Sequence, residues 1–456
     1  MQTRYCALCL LPLLQGVIGI NHAQAQRIEV DLAELFDGPV VAGANTTYPP
    51  PLTLQQAIDA AVRTNPAFAA REANYDASKQ NVVIARAQRL PTISLVADVR
   101  NDLQRSTPDP FSPTRQVVGS LEATQPLYSG GAVRHGLAAA RYRAESSARA
   151  VEAARLDLTL AVASAYANVV RDRAVVRILN DSQQKLSTIL AATRARFAAQ
   201  DVTRTDVRQV ETRLAFAEGD LAAARASLAV SNERFRQLVG APAGRVESYP
   251  VLRALPVDLP STESAAIERS PALRSVRALS DAAEADVGSA RAAQRPRVSL
   301  GVSTTFASTL GSLANTPVGN LDRSIFGSTV FARLSVPLFN GGATTAATER
   351  ARAVARAAKD NLTEAERAVR ADVRAAYARA QMALTSARSA AAAAKASRES
   401  LNGVREENAI GTRSVLDILN AEQELSLAEL RIASAERDLF VEQATLLTQL
   451  AETITE

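Results

Sequence analysis

The sequence predicts a mainly α-helical protein that carries a membrane β-barrel, built from two copies of one strand–strand–long-helical-hairpin unit. Three observations lead there. First, the chain repeats itself over more than 150 residues: Tyr166 returns as Tyr377 and Asp206 as Asp417, each 211 positions on. Second, each copy holds two runs of about ten alternating residues, the length of a tilted membrane strand. Third, each copy ends in heptad-patterned helices far longer than a globular helix, which need a coiled-coil partner. A repeat this long is no solenoid unit; it makes two similar halves of one architecture.

Residues 1–25 read as a secretory signal: Arg4, an apolar stretch from Tyr5 to Ile20, then Ala23-Gln24-Ala25 as a small-x-small cleavage site. A retained N-terminal anchor is the alternative, for which the stretch is short. Both cysteines, Cys6 and Cys9, and His22 lie in this segment. The remainder offers no disulfide, no cysteine nucleophile and no multi-histidine metal site, and His135 reads as a packing or surface residue. No cofactor or metal is expected.

Aromatics make up 4% of the 456 residues and Trp is absent, which suits close-packed bundled helices better than an enzyme core. Formal charge is +5, from 52 bases and 47 acids that alternate along the helices. Interspersed signs mark solvated helix faces, and with so few stacking rings no nucleic-acid partner is expected. No segment reaches eighteen consecutive apolar residues, so a membrane crossing would have to be a closed barrel.

Residues 26–51 are polar and proline-terminated, an extended segment. The first copy spans 52–240. Thr53 caps a helix from Leu54 toward Arg89, interrupted at Asn65-Pro66. Strands are expected at about 92–99 and 117–125, with a Pro/Ser/Asp-rich loop between them. In the first strand Ile93, Leu95, Ala97 and Val99 share one face. The same alternation would suit a half-buried soluble sheet, and it leaves open which face meets lipid.

The hairpin follows at about 132–239. From Ala132 to Gln200 there is no proline, and Val162, Val169, Val176, Leu190 and Phe197 fall on a seven-residue spacing, with Gln183 in the one missing place. About seventy residues at 1.5 Å each give a helix of roughly 100 Å. Its partner carries an unbroken three–four seam from Val207 to Leu238, and adding 211 to the first nine positions, Val207 to Phe235, gives Ile418 to Leu446, with Glu442 the one lapse. Residues 241–260 form a Pro/Gly-rich linker. The second copy, 261–456, repeats the plan with strands at about 298–306 and 328–336 and a hairpin at about 343–450.

Two strands per copy give four per chain. Four cannot close a barrel, and open edges cannot sit in lipid, so several chains must share one barrel.

These features together resemble the TolC-like outer membrane factors, over about Leu52 to Leu450. The most specific stretch is Ile410-Gly411-Thr412-Arg413-Ser414-Val415-Leu416-Asp417-Ile418-Leu419-Asn420-Ala421-Glu422, supported by the Gly-Gly after each second strand. The resemblance implies a homotrimer in the outer membrane of a Gram-negative bacterium, with a twelve-stranded barrel and a periplasmic α-helical tunnel. It implies two further partners: a periplasmic adaptor (membrane fusion) protein and an inner-membrane ABC or proton-driven transporter. It places Asp417 as an inward carboxylate at the tunnel constriction, with Asn420 one turn on, where some members carry a second acid. It places Arg413 in a gate latch whose acceptors are Thr205 and Asp206, with Asn408 where some members have a tyrosine. It makes Gln200, Asp201, Gly411 and Thr412 the adaptor-contacting tips. With no catalytic constellation or nucleotide loop, the expected function is a passive exit duct, closest to the type I protein secretion branch. The alternatives are a small-molecule efflux duct and a periplasmic coiled-coil structural adaptor.

Overall fold

The structure, a computed structural model, describes residues 53–101, 115–244, 246, 248–252, 258–309 and 324–454. The expected signal, the 26–51 segment and both inter-strand loops lie outside these residues.

Each copy opens with two short helices. In the first, α1 (Leu54–Thr64) and α2 (Pro66–Ala87) are separated at Asn65. Thr53 and Gln56 form a capping box, the Gln56 amide donating to the Thr53 hydroxyl and the Thr53 amide to Gln56 Oε1. Asn65 Oδ1 then accepts from the amides of Ala67 and Phe68, and Pro66 supplies a helical φ where no N–H is needed.

Strands β1 (Thr92–Asn101) and β2 (Arg115–Tyr128) follow, then α3 (Ala132–Ala198) and α4 (Arg204–Val239). The second copy repeats the order as α5 (Leu259–Arg269), α6 (Pro271–Ala292), β3 (Arg297–Thr309), β4 (Ser324–Ser335), α7 (Ala343–Ala409) and α8 (Val415–Gln449). The duplication is exact in length for three helix pairs: 11 residues in α1 and α5, 22 in α2 and α6, and 67 in α3 and α7. Each strand-to-helix corner turns on two glycines, Gly130-Gly131 and Gly341-Gly342. All four have φ between 63° and 97°, which a side chain would strain.

The strands form one antiparallel sheet in the order β1-β2-β3-β4. Register sorts the side chains. Ser94, Glu122, Ser303 and Thr329 align in one polar row across all four strands, and Ile93, Ala123, Val302 and Val330 in the adjacent apolar row. On that apolar face Ile93, Leu95, Val99, Phe306, Phe326, Val330 and Leu334 are all exposed in the single chain. Thr304 and Ser328 share the face but hydrogen-bond each other at 3.1 Å. The opposite face carries Asp98, Glu122 and Arg333, with Arg333 stacked 5.2 Å from the Phe331 ring, which itself lies over Gly301. Among the described residues both outer edges, β1 and β4, are unpaired.

The main core sits around the middle of α3. Val162, Tyr166 and Val169 pack against Leu54 and Ile58 of α1, Phe235 of α4 and Phe440 of α8. The inter-copy segment joins this core: Val246 is buried, and Arg173 donates to the carbonyls of Val246 (2.8 Å) and Gly244 (2.5 Å). The heptad seam is buried or half-buried throughout on α4 and α8. Its lapse at Glu442 is an ion pair with Arg379 across the α7–α8 hairpin, 3.1 Å. Phe197, expected in the α3 seam, is 44% exposed, because it lies in the last turn, where α3 leaves its partner for the loop. His135 packs its ring flat on Gly288 of α6, where a Cβ would clash.

Candidate functional site at the hairpin tips

The two tips are the same turn built twice. After α3 the chain reverses through Gln200, and after α7 through Gly411; both adopt left-handed backbone, φ 61° and 82°. Each tip is clasped by an arginine–carboxylate pair. Arg196 Nε donates to Asp201 Oδ2 at 2.7 Å in the first, and Arg413 Nε to Glu407 Oε2 at 2.8 Å in the second. The second is held further by Asn408 Nδ2 donating to the Arg413 carbonyl (2.7 Å) and Thr412 Oγ1 to the Glu407 carbonyl (2.8 Å). Arg413 and Asn408 are thus brought together, but within one tip. Gln200, Asp201, Gly411 and Thr412 all lie exposed.

Asp206 and Asp417 then play identical local parts. Each is the third residue of its helix and closes a capping box, with Thr203 and Ser414 respectively. Asp417 Oδ2 accepts from the Ser414 amide (2.9 Å) and hydroxyl (2.7 Å); Asp206 Oδ2 accepts both from Thr203 at 2.8 Å. These donors, the hydroxyls foremost, hold both carboxyls below the ordinary aspartate range. In each, Oδ1 makes no hydrogen bond among the described residues, leaving a charged oxygen for something outside the chain. Within one chain neither Asp206 nor the exposed Thr205 bonds Arg413.

Where the copies differ is one turn further along. Glu422 on α8 is buried and takes cations from both hairpins: Arg405 of α7, and Lys185 of α3 at 3.7 Å. Arg213 of α4 donates to Asn420 (3.4 Å) and also bonds Gln423. Leu419 packs into Leu186, Leu190, Val207 and Val210, and a cavity of about 300 Å³ opens beside it between α3, α4 and α8. Asn420, expected at the constriction, is therefore tied to the first hairpin by Arg213. None of Lys185, Arg213, Arg405 or Glu422 was singled out from sequence, yet a signal existed. Subtracting 211 from Arg405 and Glu422 gives Arg194 and Glu211, which pair at 2.8 Å in the first hairpin. Among the described residues, of these two carboxylates only Glu422 has a cross-hairpin lysine.

The outer membrane efflux protein model matches residues 57–241 and again 263–452. The chain belongs to the outer membrane efflux protein family. That family consists of channel-tunnels of the Gram-negative outer membrane, with a barrel continued by a periplasmic helical tunnel, and its members are channels rather than enzymes. They work with periplasmic adaptors and inner-membrane transporters in tripartite systems. Membership removes the structural-adaptor alternative. The chain is 25% identical over 418 residues to the outer membrane efflux protein BepC of Brucella suis, covering 92% of this chain and 89% of that protein. It is 26% identical over 410 residues to the alkaline protease secretion protein AprF of Pseudomonas aeruginosa, covering 85% and 82%. In fold it is similar to the open state of the Neisseria gonorrhoeae MtrE outer membrane channel, with a TM-score of 0.75, 22% identity, and coverage of 89% of this chain and 90% of that one.

Proposed function

We propose that three copies of this chain form the outer-membrane exit duct of a type I protein secretion machine, opened and closed at its periplasmic tips. The observation that carries the duct is the sheet. It has an apolar face that lipid would cover, a polar face suited to a water-filled lumen, and two unpaired edges. Four strands cannot close, so the edges call for neighbouring copies, and three copies give the twelve-stranded barrel. The long hairpins continue that wall into the periplasm.

In this reading Asp417 forms a ring of three carboxylates at the closed end, its free Oδ1 turned to the lumen and favouring cations. Asn420 stands behind it, neutral and held by Arg213. Arg413 exchanges or supplements its Glu407 contact with Thr205 and Asp206 of a neighbouring copy, and the exposed tips meet the adaptor. Similarity to AprF and to the protease secretion protein PrtF of Dickeya chrysanthemi supports protein cargo. Similarity to the outer membrane efflux protein BepC supports the second reading, small-molecule efflux.

Deleting the chain in its native host separates the two. Secretion predicts loss of specific proteins from the medium with unchanged susceptibility to dyes and detergents. The reverse pattern assigns efflux.

A further inference from the structure

At the root of the sheet, where β2 turns into α3, a cavity of about 460 Å³ opens between Arg89, Arg134 and Arg295, with Tyr128 on its wall. The charge around it is one-sided. Residues 85–92, 125–137 and 288–298 contain Arg86, Arg89, Arg134, Arg291, Arg295 and Arg297, and no Asp or Glu. Further back on α6, Asp286 is already paired with Arg143. The cations are largely uncommitted. The Arg89 guanidinium has no partner among the described residues, and Arg134 meets only the His135 ring, at 3.3 Å. Arg295 spends one N–H on the Gly130 carbonyl, at 3.2 Å. The long helix α3 also starts here, its N-cap Gly131 giving no side-chain cap, so the positive end of its dipole adds to the field.

The cavity also has an apolar neighbour. Tyr128 pairs with Val298, which shares the apolar sheet face with Leu300 and Val302, and Leu127 and Tyr128 are both exposed. It lies between the roots of β1, β2 and β3.

We infer that this cavity binds the headgroup of an anionic phospholipid from the periplasmic leaflet, its acyl chains lying along the apolar strand face. A phosphate ester supplies the charge that the three guanidiniums lack, and arginine forks match its oxygens. The adjoining strand face explains why a lipid, rather than a free anion, is the occupant. The inference rests on the barrel reading above, since only an inserted sheet brings this root to the leaflet.

The test uses the full-length trimer in detergent. Retained lipid is counted by native mass spectrometry after titration with phosphatidylglycerol or phosphatidylcholine, with millimolar inorganic phosphate as a third arm. The wild type retains phosphatidylglycerol in preference to phosphatidylcholine. R89Q/R134Q weakens phosphatidylglycerol retention by roughly 25-fold, about fivefold per arginine, and leaves phosphatidylcholine unchanged. R388Q, far along α7, changes nothing, and phosphate does not displace the lipid. Equal retention of the two lipids by the wild type overturns the site, as does a double variant that matches the wild type. Displacement by phosphate assigns a free anion instead and overturns the lipid. A trimer that lacks heat-modified gel migration overturns the barrel reading; a heat-modifiable trimer without lipid preference overturns the site alone.

Discussion

The two hairpins have the same length and the same turn, but different surroundings. The first is embedded: α3 buries Leu158, Val162, Tyr166, Val169, Leu186 and Leu190 among helices of both copies. In the second the balance shifts to the other helix: α7, of equal length, buries only Thr348, Val373, four alanines and Leu401, while α8 buries Leu419, Leu425, Phe440, Leu446 and Leu447. Large side chains interdigitate and resist sliding, whereas alanine seams give close contact with little to unlock. We propose that the difference divides the work: the first hairpin is a post, and the tip half of the second, beyond the core that holds Phe440 and Ala444 of α8, is a moving element held to it at a few points. Those points are Lys185–Glu422, Arg213–Asn420 and Leu419 in its apolar socket.

The largest test of this asymmetry lies in the paired core positions Phe235 and Leu446, 211 apart and both fully buried. Phe235→Ala is expected to cost about 4 kcal/mol, from lost burial plus the cavity left in a large-residue core. Leu446→Ala, beside Ala376 and Ala380, costs about 3 kcal/mol, and chemical denaturation of the trimer would rank them. The reverse ranking breaks the comparison.

Next comes the duplicated ion pair. Arg405→Ala strips the buried Glu422 of its nearer cation and is expected to cost about 2 kcal/mol. Arg194→Ala, beside the more exposed Glu211, costs less, because Arg208 still serves that carboxylate. If the hairpins are tied at Glu422, Lys185→Ala also raises the resting conductance in planar bilayers. A conductance equal to wild type would remove Lys185 from the latch.

The caps give smaller, sign-determined effects. Thr203→Ala and Ser414→Ala each cost about 1 kcal/mol of tip stability. Both capped aspartates have lowered carboxyl pKa values in the folded chain. Their stabilisation is therefore complete above the unfolded carboxylate range, near pH 4, and is lost as pH falls through the lowered folded value. Ser414→Ala moves the Asp417 titration upward, so cation selectivity disappears at a higher pH than in the wild type. The smallest effect is backbone strain: Gln200→Gly stabilises the first tip by about 0.5 kcal/mol, while Gly411→Gln destabilises the second by about 1 kcal/mol.

Much of this was legible in the sequence because it is local or periodic. Thr53, Asn65, the glycine pairs and the α4 and α8 seams act within a few residues of themselves; an offset of 211 located the second copy of the glycine pairs and the seam, and one of 205 the Ser270-Pro271 that repeats Asn65-Pro66. Cross-strand register was not legible. That Ser94, Glu122, Ser303 and Thr329 share a row depends on pairing between strands about two hundred residues apart. Nor was the Glu422 bridge, because Lys185 lies on a helix of the other copy, where no repeat arithmetic points. Asp417 shows the opposite limit. Its sequence context marks it for the constriction, while its hydrogen bonds equally mark it as a helix cap, and one oxygen remains for each part.

The asymmetry is tested most directly by single-channel recording of Asp417→Asn and Asp206→Asn. Both substitutions keep an oxygen to accept from the cap and remove only the charge. The account predicts that Asp417→Asn sharply lowers cation selectivity, while Asp206→Asn leaves selectivity unchanged and raises resting conductance. Equal effects of the two variants on selectivity would contradict the assignment of gate to the second hairpin and post to the first.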